Sequence, residues 1–186
     1  MSIQKVSNIF SPEELEFIKN KARSNEHIPD KALGRKDMGR VGEVLSPETL
    51  EKLYAISRQA TDIPLSISHV MCVEYSAEHG QPNLPPHFDG DTNDLIINMQ
   101  LESNTSWPIG LNTEVYTLKD NEALVFNGNT EAHWRVHKEF KEGEYVMMLF
   151  ARFCKVENRS DYSELSKHWP GSDIFKDARE LRDSLI

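Results

Sequence analysis

The sequence predicts a mainly β protein with flanking helices (an α+β fold), whose core is an antiparallel sandwich or barrel. Three observations support this fold: two helix starts in the first third, a change from helical to alternating hydrophobic periodicity near residue 65, and a series of short strands separated by turn signals. We expect one domain over 1–186, with N-terminal helices and a loop (1–60), a β core (61–156) and a helical tail (157–186).

Two segments carry the signals that begin a helix. Ser11–Glu14 supplies a cap, a proline at the first helical position and a glutamate three residues after the cap, which together form a capping box. Ser46–Glu48 repeats the cap and the proline. Apolar residues follow each start at helical spacing: Leu15, Ile18 and Ala22, then Leu50, Leu53 and Ile56. Residues 23–45, between the two, are polar and interrupted by glycine, so we interpret them as a mobile loop that could serve as a lid.

The second half of the chain alternates apolar and polar residues, as half-buried strands do. Turn sequences such as Lys119–Asn121 and Asn127–Asn129 separate these segments. The predicted strands are Leu65–Tyr75, Leu95–Leu101, Glu114–Leu118, Ala123–Phe126 and Glu144–Cys154. In the tail, four apolar residues at helical spacing predict one amphipathic helix: Ile174, Ala178, Leu181 and Leu185. We expect this helix to pack on the outside of the barrel; a dimer contact is the alternative, and the oligomeric state stays open.

Composition and charge narrow the class of protein. The chain has 21 basic and 30 acidic side chains, a net charge of −9, which disfavours non-specific nucleic-acid binding. No segment approaches the ~20 apolar residues of a membrane span. Met1–Lys5 leads into a polar helix pattern and not an apolar signal core, so we expect no export. Cys72 and Cys154 lie far apart and are expected to be free thiols in a reducing cytoplasm. We therefore predict a cytoplasmic protein whose partners include neither nucleic acid nor membrane.

The sharpest local feature is His87-Phe88-Asp89. An imidazole and a carboxylate two positions apart on an extended segment point to the same side, so both can bind one metal ion. A second imidazole would complete a 2-His-1-carboxylate set, which leaves positions open on the ion and suits non-heme Fe(II). His133, 44 positions after Asp89 (133 − 89), follows a strand and a turn, where the mouth of a small jelly roll should lie.

The remaining histidines receive a structural interpretation, with one exception. His137 competes with His133 for the third ligand position, and we favour His133 because it comes directly after the strand and its turn. The others are interpreted as solvated or structural: His27 and His168 in polar segments, His79 in a turn, and His69 on the inward face of its strand.

These features resemble the Fe(II)/2-oxoglutarate-dependent oxygenases, in the prolyl-hydroxylase-like branch of that superfamily. The residues that carry the resemblance are Phe10–Leu15, Tyr75, Gly80, His87–Asp89, Glu122–Phe126, Glu131–Arg135 and Gly143–Tyr145. His133-Trp134-Arg135 is similar to a subset of small bacterial and phage-encoded members. The similarity covers roughly residues 8–155. It implies a double-stranded β-helix (a jelly-roll or cupin-like barrel) in which His87, Asp89 and His133 hold iron.

The resemblance also implies a cation for the distal carboxylate of 2-oxoglutarate, since a guanidinium can hold a carboxylate with two hydrogen bonds. Many members carry Arg or Lys shortly after the glycine that opens the last strand, whereas this chain has Gly143-Glu144-Tyr145. We favour Arg135, which shares the side of His133 if the segment is extended, over Arg152 on the last strand. Tyr75 matches a position that in relatives hydrogen-bonds the cosubstrate; a core tyrosine is the alternative. The buried amide expected at Asn98 needs a partner, which cosubstrate or substrate could supply.

The implied activity is a dioxygenase reaction with Fe(II), 2-oxoglutarate and O₂. Relatives that halogenate have a small residue in place of the carboxylate, so Asp89 implies hydroxylation, with release of succinate and CO₂. The branch implies an amino-acid, peptide or protein side-chain substrate, and the sequence does not choose among them. Two alternatives stay open. One is a cupin-like metalloenzyme that does not use 2-oxoglutarate, and the other is a catalytically silent β-barrel that only binds.

Overall fold

The computed structural model describes residues 3–40, 44–90, 93–155 and 183–184. Within them the helices are α1 (Pro12–Ser24) and α2 (Pro47–Ala60), and a 3-10 turn spans Ala77–His79. The strands are β1 (Gln4–Ser7), β2 (Ile28–Asp30), β3 (Arg35–Arg40), β4 (Leu65–Ser76), β5 (Leu95–Ser103), β6 (Ile109–Leu111), β7 (Glu114–Tyr116), β8 (Glu122–Phe126), β9 (His133–Arg135) and β10 (Tyr145–Lys155).

The strands form two antiparallel sheets. The large sheet has seven strands in the order β1-β8-β5-β10-β4-β3-β2, and the small sheet has three in the order β7-β6-β9. From β5 onwards the chain crosses between the sheets at β5–β6, β7–β8, β8–β9 and β9–β10, as in a jelly roll. The sequence prediction of a mainly β barrel with flanking helices is therefore confirmed, and so are the long strands β4, β5, β8 and β10.

Both helices begin at the predicted caps. The Ser11 hydroxyl accepts from the Glu14 N–H (3.3 Å), and the Glu14 carboxylate accepts from the Ser11 N–H (2.7 Å), which completes the capping box. The Ser46 hydroxyl likewise accepts from the Thr49 N–H (3.3 Å). Each helix buries its apolar stripe, with Ile18 and Leu53 fully inaccessible to solvent. None of the helices in the described ranges is long and apolar enough to span a membrane.

The large sheet is covered on both faces, which creates two apolar clusters. On β4, Val70 and Cys72 pack towards the helices, whereas Met71 and Val73 pack towards the small sheet. This division follows from the alternation of side chains along a strand. A strand buried on both faces needs apolar residues at successive positions, which explains the run Val70–Val73. The space between the two sheets holds the site described below.

Two interpretations of the N-terminal third were wrong. Residues 23–45 are not one mobile loop, because α1 continues to Ser24 and β2 and β3 extend the large sheet beyond β4. Strand β3 carries mostly charged side chains and contains a bulge between Asp37 and Gly39, so it lacks the alternation that identifies strands. Residues 41–43 are outside the described ranges.

The start of the chain was also misread. Gln4–Ser7 is not helical but forms an edge strand, paired with β8 in the register Gln4↔Val125. Its polar composition suits an edge strand, where charged and polar residues protect the open side from aggregation. The third predicted strand is shorter than expected and ends at Tyr116. The four residues that define the predicted tail helix, Ile174, Ala178, Leu181 and Leu185, lie outside the described residues.

Candidate metal centre

The backbone brings His87 and His133 directly opposite each other. The His87 N–H donates to the His133 carbonyl (3.1 Å), and the His133 N–H donates to the His87 carbonyl (3.0 Å). Residues that exchange both hydrogen bonds across an antiparallel pair project their side chains from the same face. The two imidazole centroids are accordingly 4.2 Å apart. The Arg135 N–H also donates to the Leu84 carbonyl (2.9 Å), so the segment before His87 runs beside β9.

Asp89 closes the cluster from the adjoining loop. Its N–H donates to the Gly128 carbonyl (2.9 Å), which fixes the backbone beside the turn that precedes β9. Its Oδ1 lies 3.8 Å from His87 Nε2 and 3.7 Å from His133 Nε2. One ligand atom from each of the three residues lies within 4.8 Å of the others. Atoms about 2.1 Å from a shared ion can lie up to roughly 4.2 Å apart, so a small adjustment lets one metal ion reach all three.

The ring nitrogens are already oriented for metal binding. His87 Nδ1 lies 2.7 Å from the Pro85 carbonyl oxygen, and His133 Nδ1 lies 3.1 Å from the Glu131 carbonyl oxygen. Because a carbonyl only accepts, each Nδ1 carries a proton, which leaves Nε2, on the side of Asp89, as the ring nitrogen available to a metal ion. Such an outer hydrogen bond fixes the tautomer and orientation of a ligating histidine.

The protonation states also suit metal ligands. Burial, followed by the neighbouring His133, lowers the pKa of His87 to about 4. For Asp89, burial acts to raise the pKa, but the hydrogen bond and charge of His133 and the charge of Arg152 outweigh it and lower the pKa to about 2. At neutral pH the cluster therefore presents a neutral His87 imidazole beside a carboxylate, as metal binding requires.

Arg152 contacts the carboxylate from its other side. Its Nη2 lies 3.5 Å from Asp89 Oδ2, while Oδ1 faces the two histidines. The two oxygens of Asp89 are thus divided between the guanidinium and the imidazoles. This arrangement leaves Oδ1 directed at the two imidazoles and places Arg152 at the end of the site that holds the histidine–carboxylate cluster.

A cavity of about 360 Å³ extends from this cluster between the two sheets. All the site residues predicted from sequence line it: His87, Asp89, His133, Arg135, Arg152, Tyr75 and Asn98. The other walls are mainly apolar, with Ile96 and Phe150 from the large sheet and Ile109 from the small sheet. His137, by contrast, is exposed and lies outside both the cavity lining and the histidine–carboxylate cluster.

Arg135 lies in the wall of the cavity and is only 4% exposed. Its Nη1 donates to the Trp107 carbonyl (2.5 Å) and its Nη2 to Met148 Sδ (3.5 Å), and its guanidinium lies 4.8 Å from the Trp107 ring centroid. Burial lowers the pKa of Arg135 to about 10, against the opposing effect of Tyr75. The side chain is therefore a buried cation at neutral pH.

Tyr75 connects this cation to a residue that sequence reasoning missed. Its ring packs edge-on against Trp107, with centroids 4.9 Å apart, and its hydroxyl accepts from Arg35 Nη1 (3.2 Å). Arg35 lies opposite Tyr75 in the β3–β4 register and lines the cavity. No signal in the sequence identifies Arg35, because its position depends on a strand with no apolar alternation.

The chain is similar to known proteins in structure but not in sequence. No protein-family model and no curated protein matches the sequence. Among solved structures, HygX from Streptomyces hygroscopicus, with nickel and 2-oxoglutarate bound, is similar at 11% identity and a TM-score of 0.63, over 83% of each chain.

Two prolyl hydroxylases are also similar. The viral collagen prolyl hydroxylase vCPH from Paramecium bursaria Chlorella virus-1, in complex with 2-oxoglutarate, matches at 12% identity and a TM-score of 0.57, over 84% of this chain and 97% of its own. The prolyl hydroxylase from Trichoplax adhaerens, in complex with a hypoxia-inducible-factor peptide, matches at 13% identity and a TM-score of 0.57, over 81% and 83%. The chain therefore has the double-stranded β-helix fold of the Fe(II)/2-oxoglutarate-dependent oxygenases.

Proposed function

We propose that this protein is an Fe(II)- and 2-oxoglutarate-dependent dioxygenase that hydroxylates its substrate. One observation carries the proposal: a single cavity is lined both by a histidine–carboxylate–histidine cluster and by a buried arginine, Arg135. A 2-oxo diacid needs both features, because its oxo-acid end can chelate a metal ion while its distal carboxylate requires a cation.

The residues present fit iron. Two imidazole nitrogens and one carboxylate oxygen, from His87, His133 and Asp89, form the donor set that leaves positions open on Fe(II). When bound there, iron supplies the oxygen chemistry that couples decarboxylation of 2-oxoglutarate to substrate oxidation. The chain itself holds the ligands in their binding tautomers and keeps the site enclosed between apolar walls.

The geometry favours Arg135 over Arg152 as the anchor for 2-oxoglutarate. His133 and Arg135 lie two positions apart on β9, which corresponds to about 6.8 Å along an extended strand and suits a five-carbon diacid. Arg152 instead contacts Asp89 itself, too close to the metal end for the distal carboxylate. Tyr75 lines the same cavity and packs against Trp107, as Arg135 does, so its hydroxyl can donate a further hydrogen bond to the same carboxylate.

The overall reaction balances as one C–H bond oxidised per 2-oxoglutarate. Substrate, O₂ and 2-oxoglutarate give hydroxylated substrate, succinate and CO₂. We expect an amino-acid, peptidyl or protein side-chain substrate. Among structures of the same fold, the Trichoplax adhaerens enzyme binds a peptide and HygX binds hygromycin B, so the fold accommodates both peptides and small molecules. The buried free thiols of Cys72 and Cys154 suit a reducing cytoplasm.

The test is an anaerobic titration of the purified protein with Fe(II) and then 2-oxoglutarate, monitoring the visible metal-to-ligand charge-transfer band of a chelated 2-oxo acid. We expect the band in wild type and in the control His137→Ala, whose side chain is exposed, and its loss in His133→Ala. Iron binding without a band would favour a cupin-like metalloenzyme. Binding of neither would favour a silent β-barrel. Loss of the band in His137→Ala, with the band retained in His133→Ala, would refute the assignment of His133 as the third ligand.

A further inference from the structure

Two residues that line the cavity, Asn98 and Arg152, each have a buried polar atom without a hydrogen-bond partner among the described residues. The atoms are Asn98 Oδ1 and Arg152 Nε. Other buried side-chain atoms in the described ranges share this condition, but their residues do not line the cavity. A buried polar atom without a partner is unfavourable in the protein alone, and its presence in a binding cavity indicates a ligand that supplies the partner.

The two atoms belong to neighbouring strands and the same face of the large sheet. Asn98 on β5 pairs with Phe150 on β10, and Arg152 pairs with Ile96, so Asn98 and Arg152 are diagonal neighbours. Diagonal neighbours in a sheet are within reach of one small polar group held between their side chains. Arg152 also contacts Asp89, which places this pair beside the metal-binding cluster.

The hydrogen-bonding roles of the two atoms are opposite. A carboxamide oxygen such as Asn98 Oδ1 only accepts, and a guanidinium Nε such as that of Arg152 only donates. 2-Oxoglutarate at neutral pH is a dianion whose oxygens all accept. With the Asn98 carboxamide in this orientation it cannot satisfy Oδ1, and the donor comes from another molecule in the site.

We propose that Asn98 and Arg152 form the substrate subsite and that the substrate presents an amide group to them. The amide N–H donates to Asn98 Oδ1, and the amide carbonyl accepts from Arg152 Nε. A carboxylate fits less well because it has no donor and would lie near the carboxylate of Asp89. The apolar side chains of Ile96 and Phe150 flank the pair, so these two hydrogen bonds orient the amide. This inference rests on the proposed function, because the subsite lies next to the reacting centre only if the histidine–carboxylate cluster holds the iron.

The direct test compares N-methylacetamide with methyl acetate, an ester of similar shape that lacks the N–H. Ligand-observed saturation-transfer NMR is recorded on the protein loaded with Zn(II) and 2-oxoglutarate, and again without either. We expect saturation transfer to the amide to exceed that to the ester by about threefold or more, because only the amide satisfies both atoms. Equal transfer to both probes, or transfer to neither, would overturn the proposal.

Variants assign the effect to the two residues. Asn98→Leu removes the acceptor and Arg152→Met removes the Nε donor, and each should abolish the preference for the amide, which is compared in the metal-free protein so that a change in metal affinity has no effect. Ser76→Ala is the matched control, since the Ser76 hydroxyl is also buried without a partner but does not line the cavity, and it should keep the preference. Thermal unfolding of each variant verifies that it is folded. If only one folded variant loses the preference for the amide, that residue alone is assigned to the subsite. An unchanged preference in folded Asn98→Leu would refute the assignment.

A titration with 2-oxoglutarate separates the substrate role of Asn98 from a cosubstrate role. If the substrate is its partner, the concentration of 2-oxoglutarate that half-saturates the charge-transfer band should change by less than about threefold in Asn98→Leu. A weakening of about tenfold or more would mean that Asn98 holds the cosubstrate, and the proposal would fail. A wild-type protein that shows amide preference but no charge-transfer band would contradict the proposed function and leave the amide subsite standing.

Discussion

Replacement of Arg135 by Met should separate cosubstrate binding from metal binding. The guanidinium is 4% exposed, so a carboxylate that binds it is removed from water together with it. Removing one partner of a buried, hydrogen-bonded charge pair costs about 3–5 kcal/mol. At about 1.4 kcal/mol per tenfold change, this cost predicts a loss of 2-oxoglutarate affinity of roughly 10²- to 4 × 10³-fold. Iron affinity should stay close to wild type, because the three metal ligands are unchanged.

The assay is the anaerobic charge-transfer titration, followed by thermal and urea unfolding of the metal-free protein. Loss of the buried charge relieves its desolvation, whereas the Trp107 carbonyl loses its donor, so we expect the free energy of unfolding to change by less than about 2 kcal/mol. Arg135→Lys keeps the charge without the planar fork and should bind 2-oxoglutarate with intermediate affinity. The anchor assignment is refuted if Arg135→Met binds 2-oxoglutarate within about threefold of wild type while Arg152→Met does not.

Three further outcomes follow from contacts of the site and its walls. Arg152→Gln should lower metal affinity by about 10- to 100-fold, because the metal-binding carboxylate loses the partner that orients it, as measured by Co(II) titration against wild type. Arg35→Leu removes the donor to the Tyr75 hydroxyl and should weaken 2-oxoglutarate binding by about tenfold, read from the charge-transfer titration; an unchanged value would place Arg35 outside the site. Gly110→Ala should destabilise the fold by about 1–3 kcal/mol in urea unfolding, because its Cβ would lie 2.0 Å from the Trp134 ring, and unchanged stability would contradict this packing.

The histidine–carboxylate cluster could be predicted from sequence because most of its signal is local. His87 and Asp89 lie two positions apart, and His133 follows a strand and turn that the periodicity identifies. The structure places these three together and leaves His137 exposed. The sequence alone did not decide whether Arg135 or Arg152 anchors 2-oxoglutarate, because the alternation of side chains along a strand places both on an inward face. Only the contact of Arg152 with Asp89 shows which one lies at the metal end.

The far wall of the cavity could not be predicted for a physical reason. Strand β3 is stabilised by pairing with β4 and not by burial of an alternating apolar face, so its sequence reads as a polar loop. Met38 is its one residue buried from solvent, beside the bulge at Gly39. The contribution of Arg35 to the cavity depends entirely on this pairing, so it cannot be predicted until the register Arg35↔Tyr75 is known.

The proposed anchor, Arg135, departs from the usual position of the cosubstrate cation, and the packing around it explains how it can serve there. Glu144, which stands near the position where relatives carry a basic residue, accepts from Thr105 Oγ1 (2.9 Å) and pairs with Lys138 (3.3 Å) outside the cavity. Arg135 starts from the opposite sheet, yet its Nη2 reaches Met148 Sδ on β10 (3.5 Å). The guanidinium therefore arrives beside the last strand although β9 carries it. Since a carboxylate responds to where the charge lies and not to which strand supplies it, an arginine on β9 can perform the role that the last strand performs elsewhere.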